Sequence, residues 1–263
     1  MNVVVATFYH FFDFPHFAET RQALREEMAR LEIKGTLLLS DEGINSTLAG
    51  SRESVDAFLR YLQAEIVREA FTHKESFCER QPFARTKVRL KKETISLGEK
   101  VAMGHVGQYV SAAEWNALIA DPEVIVLDAR NDYEVHLGTF EGAVDPRIRT
   151  FKELPDFVRR ELGDAKQKKI ATFCTGGIRC EKLTAWMKQE GFEEVYHLEG
   201  GILKYLEEIP QSQSAWKGEC YVFDNRIAVG HGLVPSTTAA LCSACGYALA
   251  PEDHACCPHC ERD

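Results

Sequence analysis

Apolar positions in the first hundred residues alternate between two periods. VVVATFY reads as a strand, and AETRQALREEMARLEI places Ala23, Leu24, Met28 and Leu31 at helical spacing. KGTLLLS and STLAG read as strands around a turn-like DEGIN, where Gly43 and Asn45 suit positive φ. Ser51 is the expected cap of a helix over SRESVDAFLRYLQAEI, with Ser54, Val55, Phe58, Leu59 and Leu62 along one face. TKVRLKKETISL then alternates like a strand. Strand, helix, two strands, helix, strand is the order of a ferredoxin-like α+β unit, expected over residues 1–97.

After a linker expected at 98–107, the pattern changes. SAAEWNALIA, TFKELPDFVRREL, IRCEKLTAWMKQEG and GILKYLEEI read as helices. VIVLDAR, KKIATFCT and EEVYHLEG lie between them as strands of nearly continuous apolar character. That alternation predicts an α/β domain with a parallel sheet over residues 108–212. Residues 213–263 form a third, cysteine-rich unit.

Composition narrows the classes. The 263 residues are 45% hydrophobic, which is globular, and carry a formal net charge of -9. That charge argues against a general nucleic-acid-coating role but permits a local basic surface. MNVVVATFYH lacks a basic n-region, and no apolar run approaches the ~20 residues that cross a bilayer. A cytoplasmic protein with no membrane partner is expected, its nine cysteines being thiols or metal ligands.

FCTGGIRCEK carries the chemistry. Cys174 falls at the C-terminal end of a strand, where α/β sheets bind ligands. Thr175, Gly176, Gly177 and Ile178 lead into a helix, and the two glycines let backbone N–H groups turn inward. Arg179 adds a fixed cation. Each feature favours a thiolate, so Cys174 is expected to be a low-pKa nucleophile supported by Arg179.

Two further constellations stand out. RTKVRLKK sets Arg85, Lys87, Arg89 and Lys91 at alternate positions, which share one face of a strand, with Val88 and Leu90 expected in the core. Such a stripe is either an RNA-backbone contact or a solvated sheet face. In the tail, CSAC and CPHC are Cys-x-x-Cys knuckles eleven residues apart. They predict one tetrahedral structural zinc on Cys242, Cys245, Cys257 and Cys260, with Cys256 or His259 as possible substitutes.

The stretch from LDARNDYE to LEGGILKYLEE resembles a rhodanese domain with CTGGIRC as its active-site loop. Four residues separate Cys174 from Arg179, as in sulfur-handling rhodaneses; the related phosphatases keep five. Asp128, Arg130 and Glu134 match the rhodanese pattern that buttresses the loop, by an internal ion pair or by a direct role. More widely, FYHFFDFP, KGTLLLSDEGINSTLAG, VRLKKETISLG, CTGGIRCEK and LEGGILKYLEE occur in the order seen in the rhodanese-domain tRNA uridine hydroxylases. That resemblance implies an acylphosphatase-like N-terminal domain, a rhodanese centre and a cysteine-rich tail. It also implies oxygen-dependent formation of 5-hydroxyuridine at position 34 of certain tRNAs. Cys174 would be catalytic, molecular oxygen a co-substrate and the tRNA anticodon stem-loop the partner. Leu183 and Thr184 are larger than the family's usual residues, and Thr139 stands where a histidine is usual, so no catalytic base is assigned there.

Three functions compete. A tRNA-modifying hydroxylase leads, because thiosulfate chemistry has no need of a second domain with a basic stripe. A sulfurtransferase carrying a Cys174 persulfide fits the same loop. A non-catalytic interaction module is disfavoured, because both Cys174 and Arg179 are retained.

Overall fold

The computed structural model describes residues 3–253 and 255–260. The chain divides into two compact units, Met1–Ser96 and Leu97–Asp263.

The first unit runs β1 (Val3–Phe11), α1 (Phe17–Arg30), β2 (Lys34–Ser40), β3 (Gly43–Gly50), α2 (Arg52–Tyr61), β4 (His73–Cys78) and β5 (Thr86–Leu90). Its sheet has the order β4-β1-β3-β2-β5. The first four strands are antiparallel neighbours, whereas β5 pairs parallel to β2. Leu24 and Met28 of α1, with Val55 and Phe58 of α2, pack on Val4, Phe8, Leu37, Leu39, Ile44, Leu48 and Val88 in one buried core. Ser51 caps α2 by accepting from the Ser54 N–H. A π turn, Leu62–Val67, follows that helix.

Several expectations change here. The strand that closes the ferredoxin-like order is β4, HKESFC, whose polar edge sequence shows little apolar alternation. The basic strand β5 is an added fifth strand. DEGIN is not all turn, because β3 begins at Gly43 and Asn45 pairs with Tyr9 and Leu38. Gly43 does have positive φ (133°), and a Cβ there would lie 2.0 Å from the His10 carbonyl oxygen. Asn45 does not have positive φ. Leu90 is 41% exposed rather than in the core, because the core-facing side of β5 is buried only at Val88. Ala23 is exposed as well, so α1 buries a narrower stripe than its apolar pattern implies.

The second unit contains β6 (Gln108–Val110), α3 (Ala112–Ile119), β7 (Val124–Asp128), α4 (Asp132–Val135), β8 (Gly138–Phe140), α5 (Leu154–Glu161), β9 (Lys169–Phe173), α6 (Ile178–Gln189), β10 (Glu194–Leu198) and α7 (Gly201–Glu208). The sheet β6-β10-β9-β7 is parallel throughout. The helix expected from Thr150 begins as a 3-10 turn at Phe151–Glu153 and becomes α5 near Pro155, which fits the first helical turn. β6, α4 and β8 are too short to carry a period and were not expected. The chain continues through β11 (Trp216–Gly218), which pairs with β8. Two hairpins follow, β12 (Cys220–Tyr221) with β13 (Ala228–Val229), and β14 (Ala240–Leu241) with β15 (Ala248–Leu249). No helix among the described residues is long and apolar enough to cross a membrane.

Candidate active site and metal cluster

Cys174 follows the last residue of β9 and is 1% exposed. The chain turns through Thr175 and Gly176 to Gly177, whose φ of 101° favours glycine. There the Gly177 N–H donates to the Cys174 Sγ at 3.2 Å. Ile178 and Arg179 open α6. Burial alone would push the Cys174 thiol up. The Cys180 side chain, the Arg179 charge and the N–H groups of Cys180 and Gly177 outweigh it and bring the thiol down to about 5. Cys180 moves the opposite way, pushed up by burial and by its hydrogen bond with Cys174. The opposite directions favour the proton on Cys180 and the negative charge on Cys174.

Arg179 is less free than the sequence implies. Its Nη1 and Nη2 donate to the two carboxylate oxygens of Glu134, each at 2.6 Å. Thr175 Oγ1 donates to the same carboxylate at 3.3 Å. Burial would raise the Glu134 carboxyl, but Arg179 and then Arg130 hold it below its ordinary value. The cation therefore acts on Cys174 as half of a buried pair, which weakens its field there. The backbone N–H groups and Cys180 make up the difference.

Asp128 and Arg130 lie behind this pair and are fully buried. Arg130 Nε and Nη2 donate to the Asp128 carboxylate at 2.8 and 2.6 Å. Arg130 also donates to the carbonyl oxygens of Glu134 and Gly138, and its guanidinium lies 5.1 Å from the Trp216 ring centroid. It thus ties the ends of α4 and β8 together, and its guanidinium lies 5.8 Å from the ring centroid of Phe173, the residue before Cys174. Thr139 Oγ1 donates to Asp128 at 2.8 Å, a supporting contact. Thr184 accepts from the Gly107 N–H at 3.0 Å and hydrogen-bonds His197, which gives the larger residue a structural use.

Three contributors were not legible as site residues. Cys180 was visible only as a second cysteine in the motif. Cys220, from β12, is buried, hydrogen-bonds the Thr175 side chain and is pushed up to about 12 chiefly by burial. The start of α7 braces the loop, with the N–H groups of Ile202 and Leu203 donating to the carbonyl oxygens of Cys174 and Thr175. A Cβ on Gly201 would come within 2.5 Å of the Cys174 carbonyl oxygen, so only glycine lets α7 approach.

Lys87 and Arg89 lie on β5 in the first unit, with Arg85 and Lys91 just outside the strand ends. Among the described residues no ion pair ties up Lys87 or Arg89.

In the tail, the sulfurs of Cys242, Cys245, Cys257 and Cys260 lie within 4.8 Å of one another. Cys242–Cys260 and Cys245–Cys257 are 3.8 and 3.7 Å apart. A tetrahedron of ~2.3 Å zinc–sulfur bonds has edges of about 3.8 Å, so the cluster is compatible with a metal ion such as zinc. Cys256 and His259 stand outside the group of four, His259 stacking on Tyr247 at 5.2 Å.

These features define an acylphosphatase-like, ferredoxin-like domain, then a rhodanese domain with a parallel sheet, then a four-cysteine cluster. Residues 3–94 match the UPF0176 acylphosphatase-like domain, and residues 111–208 match the rhodanese-like domain. The chain thus joins the N-terminal domain of the UPF0176 family to a rhodanese-like domain. Among solved structures, an acylphosphatase from Coxiella burnetii is 13% identical over 34% of this chain and 92% of its own, with a TM-score of 0.26. A rhodanese-related protein from Thermoplasma volcanium is 26% identical over 38% of this chain and 92% of its own, with a TM-score of 0.30. A rhodanese-like domain protein from Staphylococcus aureus is 20% identical over 37% and 90% respectively, with a TM-score of 0.31.

Proposed function

We propose that the protein is an RNA-modifying enzyme that hydroxylates uridine 34 of a tRNA anticodon loop to 5-hydroxyuridine, with Cys174 as its reactive group. The observation that carries the chemistry is a buried sulfur that accepts from the Gly177 N–H at 3.2 Å, in a loop where Arg179 and Cys180 also favour its anion. Substrate and oxygen rest on the order of the resembling motifs along both domains, and Lys87 and Arg89 of β5, without an ion-pair partner among the described residues, support a nucleic-acid partner.

Uracil C5 is a weak nucleophile until a group adds at C6. Addition of the Cys174 thiolate there moves an electron pair towards C5 and O4. C5 then bonds to an oxygen atom derived from molecular oxygen. Loss of the C5 proton and expulsion of the thiolate restore the double bond. Overall, uridine, O2, two electrons and two protons give 5-hydroxyuridine and water, so an external two-electron reductant is part of the reaction. The cradle stabilises the leaving thiolate, and the target base leaves its stack most cheaply in a single-stranded loop. The tail would hold a structural zinc, since four cysteines leave no open position.

Nucleoside mass spectrometry of tRNA from cells lacking the protein tests this. 5-Hydroxyuridine should disappear and return with the wild type but not with Cys174→Ser. Substrate tRNA bearing 5-fluorouridine at position 34 should form a covalent adduct through Cys174. A sulfurtransferase is the second reading, favoured by the four-residue spacing of the loop. It predicts a persulfide on Cys174 and unchanged nucleosides in the deletion strain.

A further inference from the structure

The first sheet has one face on helices and one without any from its own unit. Phe8, Leu37, Ile44, Leu48 and Val88 point to the helix side. Their neighbours along each strand therefore point the other way. Register then sorts that other face into rows, because directly paired residues share a side. One row reads Lys74, Thr7, Thr47, Thr36, Lys87. The Thr7 and Thr47 hydroxyls meet at 3.2 Å, which fixes both on this face. The next row reads Tyr9, Asn45, Leu38, Arg89. Phe11 follows beside Gly43, which has no side chain to cover the ring.

Two properties of these rows point to a ligand. They contain no carboxylate, although the chain as a whole carries a net charge of -9. They also set aromatic rings between cations, with Lys74 on the edge strand β4, Tyr9 and Phe11 on β1, and Lys87 and Arg89 on the other edge strand β5. Tyr9 and Phe11 are both half-buried, with ring centroids 5.9 Å apart at 65°, and the Lys74 Nζ lies 5.9 Å from the Tyr9 ring centroid. Lys87 and Arg89 have no ion-pair partner among the described residues. A sheet that presents aromatic rings for bases between cations for phosphates is a general solution to binding single strands.

We infer that this face is a platform for a single-stranded segment of RNA, with Tyr9 and Phe11 stacking on bases and Lys74, Lys87 and Arg89 holding phosphates. Asn45, between Tyr9 and Leu38, offers a donor and an acceptor to a base edge. The inference rests on the RNA-modifying reading and gives that reading a binding surface. Stacking makes the platform select unpaired loops over duplex, which a cationic stripe alone would not do. Arg85 and Lys91, beyond the strand ends, are peripheral to it.

Fluorescence anisotropy with a labelled short oligouridine, and with an RNA duplex of equal length, tests the platform. The full-length wild type should prefer the single strand. Tyr9→Leu with Phe11→Leu should weaken single-strand binding on the order of tenfold or more, with little change in the slope of log K against log salt. Lys87→Ala with Arg89→Ala should instead lower that slope by roughly 1.4, about 0.7 per lost phosphate contact. Tyr9→Phe keeps the ring and should keep the affinity, and thermal unfolding of each variant reports its fold. Unchanged single-strand affinity in the folded leucine variant overturns the platform and leaves RNA modification standing. An unchanged slope in the charge variant overturns the phosphate contacts. Wild-type protein that binds neither RNA overturns the platform and the RNA reading together.

Discussion

At the scale of the residue, the site is a balance of three charges within a few side chains. Glu134 and Arg179 cancel through a bidentate pair, so the Cys174 thiolate is the uncompensated charge, held by hydrogen bonds. Alkylation reports this directly, because only the thiolate reacts. The rate should rise through a midpoint near the value of about 5 and be flat with pH at neutrality, whereas an ordinary thiol would still be rising towards ~8.5. The midpoint is the informative quantity, since burial slows every rate alike. Arg179→Gln removes the cation, leaves the buried Glu134 carboxylate nearby and should move the midpoint up. A midpoint at or above 8.5 in the wild type removes the basis for a cradle. The same shift has a stability consequence. A depressed folded-state pKa stabilises the fold fully above the unfolded thiol's pKa, and the effect is lost as pH falls through the folded value. Chemical denaturation should therefore show the advantage of wild type over Cys174→Ala to be greatest above pH ~8.5 and to vanish towards pH 5.

At the scale of the element, the loop is shaped from outside as much as from within. The first turn of α7 donates two N–H groups to the loop carbonyls, and Gly201 permits that approach. Gly201→Ala should abolish activity and destabilise the second unit by several kcal/mol, since the new methyl meets backbone on three sides. Gly163→Ala, where a Cβ meets nothing within 4 Å, is the control and should be near neutral by thermal unfolding. This brace also shows what a sequence can express. Strand ends, caps and the Cys174 loop are local, and their residues announce them: Ser51 caps α2 and the apolar run of β9 delivers Cys174. Knuckle spacing likewise foretold the four cysteines that gather in the tail. Long-range approaches leave no such trace. Cys220 is buried near the loop across a chain separation of 45 residues from Thr175, and nothing in GEC announces it. Short or edge strands such as β4 and β6 escaped because pairing, not pattern, makes them strands. Leu90 was misplaced because a period predicts which side a residue faces, not whether that side is covered.

At the scale of the whole molecule, the question is why a rhodanese-like domain should keep a four-cysteine cluster compatible with a metal ion. Both lie in the second compact unit, and specific contacts join them. His136, which ends α4, pairs with Asp253 between the two knuckles, and its ring lies 5.6 Å from Tyr247. Leu137 shares a buried cluster with Ala228, Ala248 and Ala250, and Tyr133 meets Tyr221 edge-on at 5.2 Å. The tail thus grips both flanks of α4, and α4 carries Glu134, which fixes Arg179. Because metal binding in so small a module is folding free energy, an ion held by these four cysteines would support the tail, and its removal should release the tail and loosen α4. Glu134 and Arg179 would move as a pair, so the local charge hardly changes. What fades is the alignment of loop and guanidinium around the sulfur. Chelation of the purified protein should therefore lower the unfolding temperature of the second unit and raise the Cys174 alkylation midpoint towards that of an ordinary thiol. His136→Ala, with zinc content confirmed equal to wild type by elemental analysis, should raise the midpoint without the metal loss. A midpoint unmoved by both treatments would mean that the cluster stabilises only its own hairpins and that the cradle stands without it.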